Sequence, residues 1–217
     1  MGIQINGLND NISSTDGSLT ITGYQISSDA QNNTVLGTNA GDSFTGTDAL
    51  GNSLFGKDAG TAITTGDYNT AVGSNAFKTH TTGERNSAFG AYSLQANTTA
   101  SYNTALGYGT LYANTTGAQN TAVGEVALFS NTTAADNTAV GYKALFANTT
   151  GHSNVVMGDE AAIANTTGYE NVVLGRKSLF TNTTGKQNTS VGSLALYTNT
   201  ADYNLSLIHI SEPTRPY

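Results

Sequence analysis

The chain of 217 residues contains no cysteine and no tryptophan, only two prolines, and few charged residues, which make up 11% of it. The absence of cysteine excludes disulfide bonds and thiolate metal sites. The eight Lys and Arg residues form no basic cluster, and the formal net charge is -7. No apolar run approaches the roughly 20 residues that span a bilayer. We therefore expect no nucleic-acid partner and no membrane insertion.

The chain also has few large apolar residues, since Leu, Ile, Val and Phe together make up less than a fifth of it. Such a composition borders on that of disordered proteins. Its polarity, however, comes mainly from uncharged Thr, Asn and Gly. The N-terminal residues MGIQINGLNDNISS have neither a basic region nor an apolar region. They do not predict a signal peptide.

What the sequence does contain is a 17-residue internal repeat. An asparagine recurs at this spacing through eight copies, and a glycine follows it four positions later in every copy. NTVLG at Asn33 and NSLFG at Asn52 are two further copies upstream, the first displaced by two residues. The repeated asparagines are Asn69, Asn86, Asn103, Asn120, Asn137, Asn154, Asn171 and Asn188. The repeated glycines are Gly73, Gly90, Gly107, Gly124, Gly141, Gly158, Gly175 and Gly192.

The first half of each copy has the pattern of a short strand. A large apolar residue stands three positions after Asn, and we expect this row to face the core. Thr, Ser or Val one position after Asn shares its face, while Ala, Val or Ser lies on the opposite face. We expect the row of small residues, from Ala71 to Ser190, to be covered by neighbouring subunits. The large row is Val72, Phe89, Leu106, Val123, Val140, Met157, Leu174 and Val191.

The second half of each copy, as in GYKALFANTTG, carries a second apolar row and ends in a turn. Its adjacent apolar residues are compatible with a strand or with a short helical turn. Asn and Gly in the closing NTTG segment are typical of tight turns. The second apolar row is Phe77, Leu94, Leu111, Leu128, Leu145, Ala162, Leu179 and Leu196.

A single repeat unit is too small to bury a core alone, whereas stacked copies bury one together. The repeat therefore predicts an all-β fold, a parallel β-solenoid or β-roll whose coils pair about 4.8 Å apart. Stacked Asn side chains would hydrogen-bond along a ladder, and the Gly row would mark a corner. We expect a cap or junction over residues 1–32, the solenoid over 33–204 with regular coils from about 52, and a different segment over 205–217.

The unit NTAVGxxALxxNTTGxx resembles the head repeats of trimeric autotransporter adhesins, whose pattern is approximately SVAIGxxAxAxGxx. Asn137 through Gly141 match the SVAIG half, and Ala144 matches the next small residue. The unit is also similar to repeats of phage tail-fibre proteins. The resemblance covers about residues 33–204 and implies a β-roll that packs side by side as a homotrimer, although the present coil is three residues longer. Residues 205–215 resemble a translated sequencing adapter, which predicts a non-native tail.

Candidate reactive groups are scattered and do not predict an enzyme. His80 and His152 each occur in a single copy without a Ser or Cys motif nearby, and Asp159 and Glu160 would diverge on an extended chain. No GGxGxD calcium repeat is present, so we expect no metal and no cofactor. The N-x-T sequons are interpreted as turn residues. They begin at Asn97, Asn114, Asn131, Asn148, Asn165 and Asn182.

The sequence thus favours a structural protein over an enzyme. The main hypothesis is a shaft or head segment of a homotrimeric phage tail fibre or bacterial surface adhesin, located in a virion or on the cell surface. Such a segment would display a tip that binds an unknown receptor or glycan of a host cell. The alternative is an ice-binding solenoid, because Thr rows recur at coil spacing from Thr81 and Thr82 to Thr183 and Thr184.

Overall fold

In a computed structural model that describes residues 31–44 and 48–207, one short strand recurs in each copy of the repeat. Each strand is the TAV-like segment that follows the conserved Asn, and most are three residues long. The strands are β1 (Thr34–Leu36), β2 (Ser53–Phe55), β3 (Thr70–Val72), β4 (Ser87–Phe89), β5 (Thr104–Leu106), β6 (Thr121–Val123), β7 (Thr138–Val140), β8 (Val155–Met157), β9 (Val172–Leu174), β10 (Thr189–Val191) and β11 (Leu205–Ser206).

The eleven strands form one parallel sheet in the order of the sequence. Equivalent residues pair in register, so that Thr104 lies between Ser87 and Thr121. Most neighbouring strands are separated by one repeat period. The first pair, Thr34 with Ser53, encloses a longer coil, and the last pair, Thr189 with Leu205, a shorter one. The predicted all-β parallel solenoid of 17-residue coils is therefore confirmed.

The rest of each coil consists of turns and bends, so the ALxxN segment is neither a strand nor a helix. Its backbone is nevertheless paired from coil to coil. Leu111 N donates to Ala127 O at 3.0 Å, and Thr115 N donates to Thr132 O at 2.8 Å. Stacking thus satisfies peptide groups that irregular chain would otherwise leave unpaired. Besides the corner glycine, three positions in a typical coil adopt positive φ angles, among them Leu111 with φ of 53°.

The interior of the solenoid is filled by two rows of side chains that pack against each other. Ala105 from the middle of β5 and Leu111 from the following turn are both fully buried. In two coils a larger strand residue is accompanied by a smaller turn residue, whereas Val173 and Leu179 are both fully buried in a third. Val156 is accompanied by Ala162 in its coil, both buried. In the coil of Leu54 the turn position is Gly60, whose added Cβ would lie 2.8 Å from a Leu54 methyl carbon. The two rows therefore pack against each other inside the coil, with a combined volume that differs between coils.

This packing corrects the prediction of which strand face is internal. The middle row of small residues, exemplified by Ala71 and Ala105, is buried inside the coil and needs no neighbouring subunit to cover it. The large row points outward, with Leu106 50% exposed and Met157 45% exposed. The prediction assumed that the larger residues of an alternating strand lie inside. The opposing Leu row, however, leaves room only for a small side chain beneath most strands.

The predicted cap at residues 1–32 lies almost entirely outside the described residues, as does most of the predicted tail at 205–217. Leu205 and Ser206, the first two residues of that tail, pair with Thr189 and Ser190 as β11. Among the residues that the structure describes, no helix is long and apolar enough to cross a membrane.

Candidate assembly surface

The outward face of the sheet carries two parallel rows, and we call them together the sheet stripe. One row is mostly Thr or Ser and becomes apolar at Val155, Val172 and Leu205; the other is apolar throughout. Charged residues are absent from both rows of the eleven strands. At about 4.8 Å per coil, ten coil steps give the stripe a length of about 48 Å. Its exposed large members are Leu36, Phe89, Leu106, Val155, Met157, Val172, Leu205 and Leu207.

Directly beside the strands, the Asn residues of the repeat form a buried ladder. Asn120 is representative: its backbone N donates to Asn103 Oδ1 at 3.0 Å and its Nδ2 donates to Ala134 O at 2.9 Å. Its Oδ1 accepts from the backbone N of Asn137 at 3.0 Å. Each amide thus links two coils and also fastens the start of a strand to the turn that closes the same coil. The same pattern runs from Asn69 through Asn171, and Asn188 keeps the bonds to the asparagines before and after it.

A second buried ladder is formed by the Asn residues of the NTT segments. Asn114 Nδ2 donates to Asn97 Oδ1 at 3.1 Å and to Gly117 O at 2.9 Å. All six sequon asparagines are buried, so their side chains are structural in this fold. The six are Asn97, Asn114, Asn131, Asn148, Asn165 and Asn182.

His80 replaces asparagine at the start of this second ladder. Its Nδ1 lies 2.8 Å from Asn97 Nδ2, and its Nε2 lies 2.9 Å from Gly83 O. The Asn97 Nδ2 group can only donate and the Gly83 carbonyl can only accept, so the neutral tautomer with the proton on Nε2 satisfies both contacts. Burial lowers the pKa of His80 to about 4, and the bond to Gly83 opposes this only in part. Ile63, one coil earlier, is also buried.

The Gly row places a corner immediately after each strand. Gly90 has φ of 134°, in a region that favours glycine, and a Cβ added there would lie 2.3 Å from Gly107 O. Stacked corners approach each other too closely for any side chain. Glycine is therefore required here by the spacing of the coils as well as by the local turn.

The remaining candidate groups are dispersed over the surface. His152 is exposed and stacks on Tyr169, with ring centroids 4.9 Å apart. Asp159 is exposed, and Glu160 pairs with Lys177 at 3.1 Å. Among the described residues, no three His, Cys, Asp or Glu side chains are grouped so as to hold a metal ion.

The two Thr residues of each NTT segment behave differently. The first is tied to the next coil, as Thr98 Oγ1 donates to Thr115 O at 3.1 Å. The second forms a row that is exposed in every coil. This single row lies on a bend, beside residues that face the interior. Its members are Thr65, Thr82, Thr99, Thr116, Thr133, Thr150, Thr167 and Thr184.

The sequence predicted which positions repeat, and the structure brings those positions into columns. The role of His80 was missed, although a signal was present: His80 stands one repeat period before Asn97, in the register of the second ladder. The outward orientation of the large strand row was missed as well, because alternation groups residues by face without saying which face is internal.

Comparisons with protein-family models, with curated proteins and with solved structures find no match for this chain.

Proposed function

We propose that this chain is a structural shaft or head segment of a homotrimeric fibre, of the kind found in phage tail fibres or bacterial surface adhesins. The segment spaces and displays a tip that binds a receptor on a host cell. The observation that carries this proposal is the sheet stripe, an uncharged and partly apolar face about 48 Å long. Contiguous apolar surface of this extent is typical of an interaction site.

The period of the sheet stripe indicates which kind of partner would bind to it. Its side chains recur every coil at about 4.8 Å, so a partner that meets each coil in the same way needs the same period. Further copies of this chain in parallel orientation have that period. Three stripes around one axis would bury Leu106 and Val140 together with their counterparts, leaving the coil interiors unchanged. The resemblance to trimeric fibre repeats agrees with this arrangement.

Light scattering on the full chain tests the assembly. We expect a mass three times that of the 22.3 kDa chain. A double variant, Leu106→Glu with Val140→Glu, places six carboxylates near the proposed axis and should give a folded monomer. Both side chains point outward, so the monomer itself should tolerate the change.

The matched control carries the same charges in the same two coils on another face, as Thr116→Glu with Thr150→Glu. Both of these residues are exposed, and the control should remain trimeric. A wild-type chain that stays monomeric at micromolar concentration, or a Leu106 and Val140 double variant that keeps its mass, would overturn the proposed assembly.

Ice binding is the second candidate, because the Thr row of the strands lies on the outward face and not in the core. Regular hydroxyls at coil spacing are suited to ordering water. The neighbouring row argues against it, since its side chains vary among Val, Phe, Leu and Met and present no constant surface. Thermal hysteresis in the wild type that is lost in Thr121→Glu and kept in Thr116→Glu would favour ice binding over the fibre.

A further inference from the structure

A small pocket on the solenoid lies beyond the glycine corner that follows β5. It has a volume of about 240 Å³ and is lined by Tyr92, Tyr108, Gly109, Tyr112 and Phe129. At about 30 Å³ per water, this is the volume of about eight waters, which is room for a single ring-sized group. The lining contains four aromatic rings and no charged side chain.

Gly109 creates the space in which a ligand would sit. The same position is Tyr92 one coil earlier and Val126 one coil later, and both adopt the same left-handed conformation as Gly109, with φ of 61° and 51° against 60°. Glycine is therefore not required here by the backbone alone. Its effect is to leave out a side chain whose Cβ would lie 3.3 Å from Val126 and 3.6 Å from the ring of Phe129.

The aromatic rings that line the pocket contact one another in two pairs. Tyr112 stacks on Phe129 with centroids 4.8 Å apart and planes inclined by 6°. Tyr92 meets Tyr108 edge to face, at 5.7 Å and 74°. Tyr108 is nevertheless 54% exposed, so a large aromatic surface remains open beside ordered neighbours. Such prearranged rings lose little conformational freedom when a ligand binds.

We propose that this pocket binds one pyranose ring of a glycan. A sugar ring has an apolar C–H face that fits aromatic rings, and hydroxyl edges that fit the three tyrosine hydroxyls. Aromatic pockets also bind quaternary ammonium groups, but no carboxylate lines this one.

The site goes beyond the proposed fibre function, because it lies on the repeat segment itself and not on a receptor-binding tip. It is formed within one chain and does not depend on the trimer. A single ring of this size binds with a Kd on the order of 1 mM, so the assay must detect weak binding. Saturation-transfer NMR of the full chain with methyl glycosides of hexoses, deoxyhexoses and N-acetylhexosamines is suitable.

Two variants and one matched control define the test. Tyr108→Ser removes an exposed ring at a position where Ser74 and Ser193 stand in other coils. Gly109→Val fills the pocket with the residue that Val126 provides one coil later. Tyr142→Ser makes the same change as Tyr108→Ser in a coil where Lys143 replaces the glycine.

At least one glycoside should give a saturation-transfer signal with the wild type and with Tyr142→Ser. We expect both pocket variants to reduce that signal at least tenfold. The proposal is overturned if no glycoside binds at 20-fold Kd concentrations, about 20 mM for the expected affinity, or if the signal survives in Tyr108→Ser and Gly109→Val. Binding of tetramethylammonium without binding of any glycoside would also overturn it. Light scattering on the same samples reports the assembly separately.

Discussion

His80 Nδ1 lies 2.8 Å from Asn97 Nδ2, so that a histidine continues a ladder otherwise made of asparagines. The imidazole supplies an acceptor where Asn has Oδ1, and its Nε2–H replaces one N–H of the amide. This substitution preserves every contact of the rung only while the ring is neutral.

The histidine should therefore make stability depend on pH. Because burial depresses the pKa of His80 from 6.5 to about 4, the unfolded chain binds a proton there before the folded chain does. The neutral His80 makes its full contribution to the free energy of unfolding above pH 6.5. That contribution falls as the pH drops from 6.5 to about 4, by about 3 kcal/mol in total. Below pH 4 the loss from this group stops.

The test compares urea unfolding of the wild type and His80→Asn between pH 7 and pH 4. His80→Asn restores the amide rung and should remove this part of the pH dependence, while the carboxylates affect both proteins alike. The exposed His152 provides the control, and His152→Asn should behave as the wild type does. Equal pH profiles for wild type and His80→Asn would contradict the assigned role.

Removing one asparagine of the first ladder should lower the free energy of unfolding by more than the loss of a single hydrogen bond would. Asn120→Ala leaves the backbone N of Asn137 without its partner, while Ala134 O loses one of its two donors and keeps Asn131 Nδ2. The unpaired N–H of Asn137 costs about 1–3 kcal/mol and the lost bond to Ala134 O about 0.5–1.5 kcal/mol, so we expect a loss of about 2–4 kcal/mol in urea unfolding. Thr133→Ala, on the exposed row of the same coil, should change stability by less than about 0.5 kcal/mol. A similar small change for Asn120→Ala would show that the ladder contributes little.

The corner glycines should tolerate no side chain at all. In Gly90→Ala the new Cβ would overlap Gly107 O at 2.3 Å, and relief would require separating two coils. We expect a loss greater than about 4 kcal/mol, or failure to fold, in thermal unfolding. Gly109→Ala is the control: its φ is 60° and its Cβ would approach nothing closer than 3.3 Å, so the loss should be about 1–2 kcal/mol. If the two variants were equally stable, contact between stacked corners would not be what requires Gly90.

The shared volume inside the coil predicts a compensating pair. Leu111→Ala alone should cost about 2–5 kcal/mol by leaving a cavity. Ala105→Val alone should cost only about 1 kcal/mol, the lower end for overpacking, because another coil buries Val173 together with Leu179. The double variant recreates the pair Val156 and Ala162 found in another coil. Its loss should be smaller than the sum of the single losses by about 0.5–3 kcal/mol. The measurement is a double-mutant cycle by urea unfolding, and strict additivity would contradict the shared space.

The sequence by itself determined the period, the parallel stacking and the positions that form columns. A strict repeat of constant length leaves each side chain next to its own copies, so Asn must meet Asn at Asn103 and Asn120, and corner glycines must stack on corner glycines. These consequences follow from repetition alone, whatever the shape of the coil.

Only the tertiary structure decided which face of each strand is internal. Alternation assigns Thr104 and Leu106 to one face and Ala105 to the other, but the choice between the faces depends on what lies across the coil. There Leu111, held in a left-handed conformation with φ of 53°, projects into the interior and takes most of the volume. The space that remains fits Ala105, and the larger Leu106 is left on the outside because close packing, and not hydrophobicity alone, sets the inward residue.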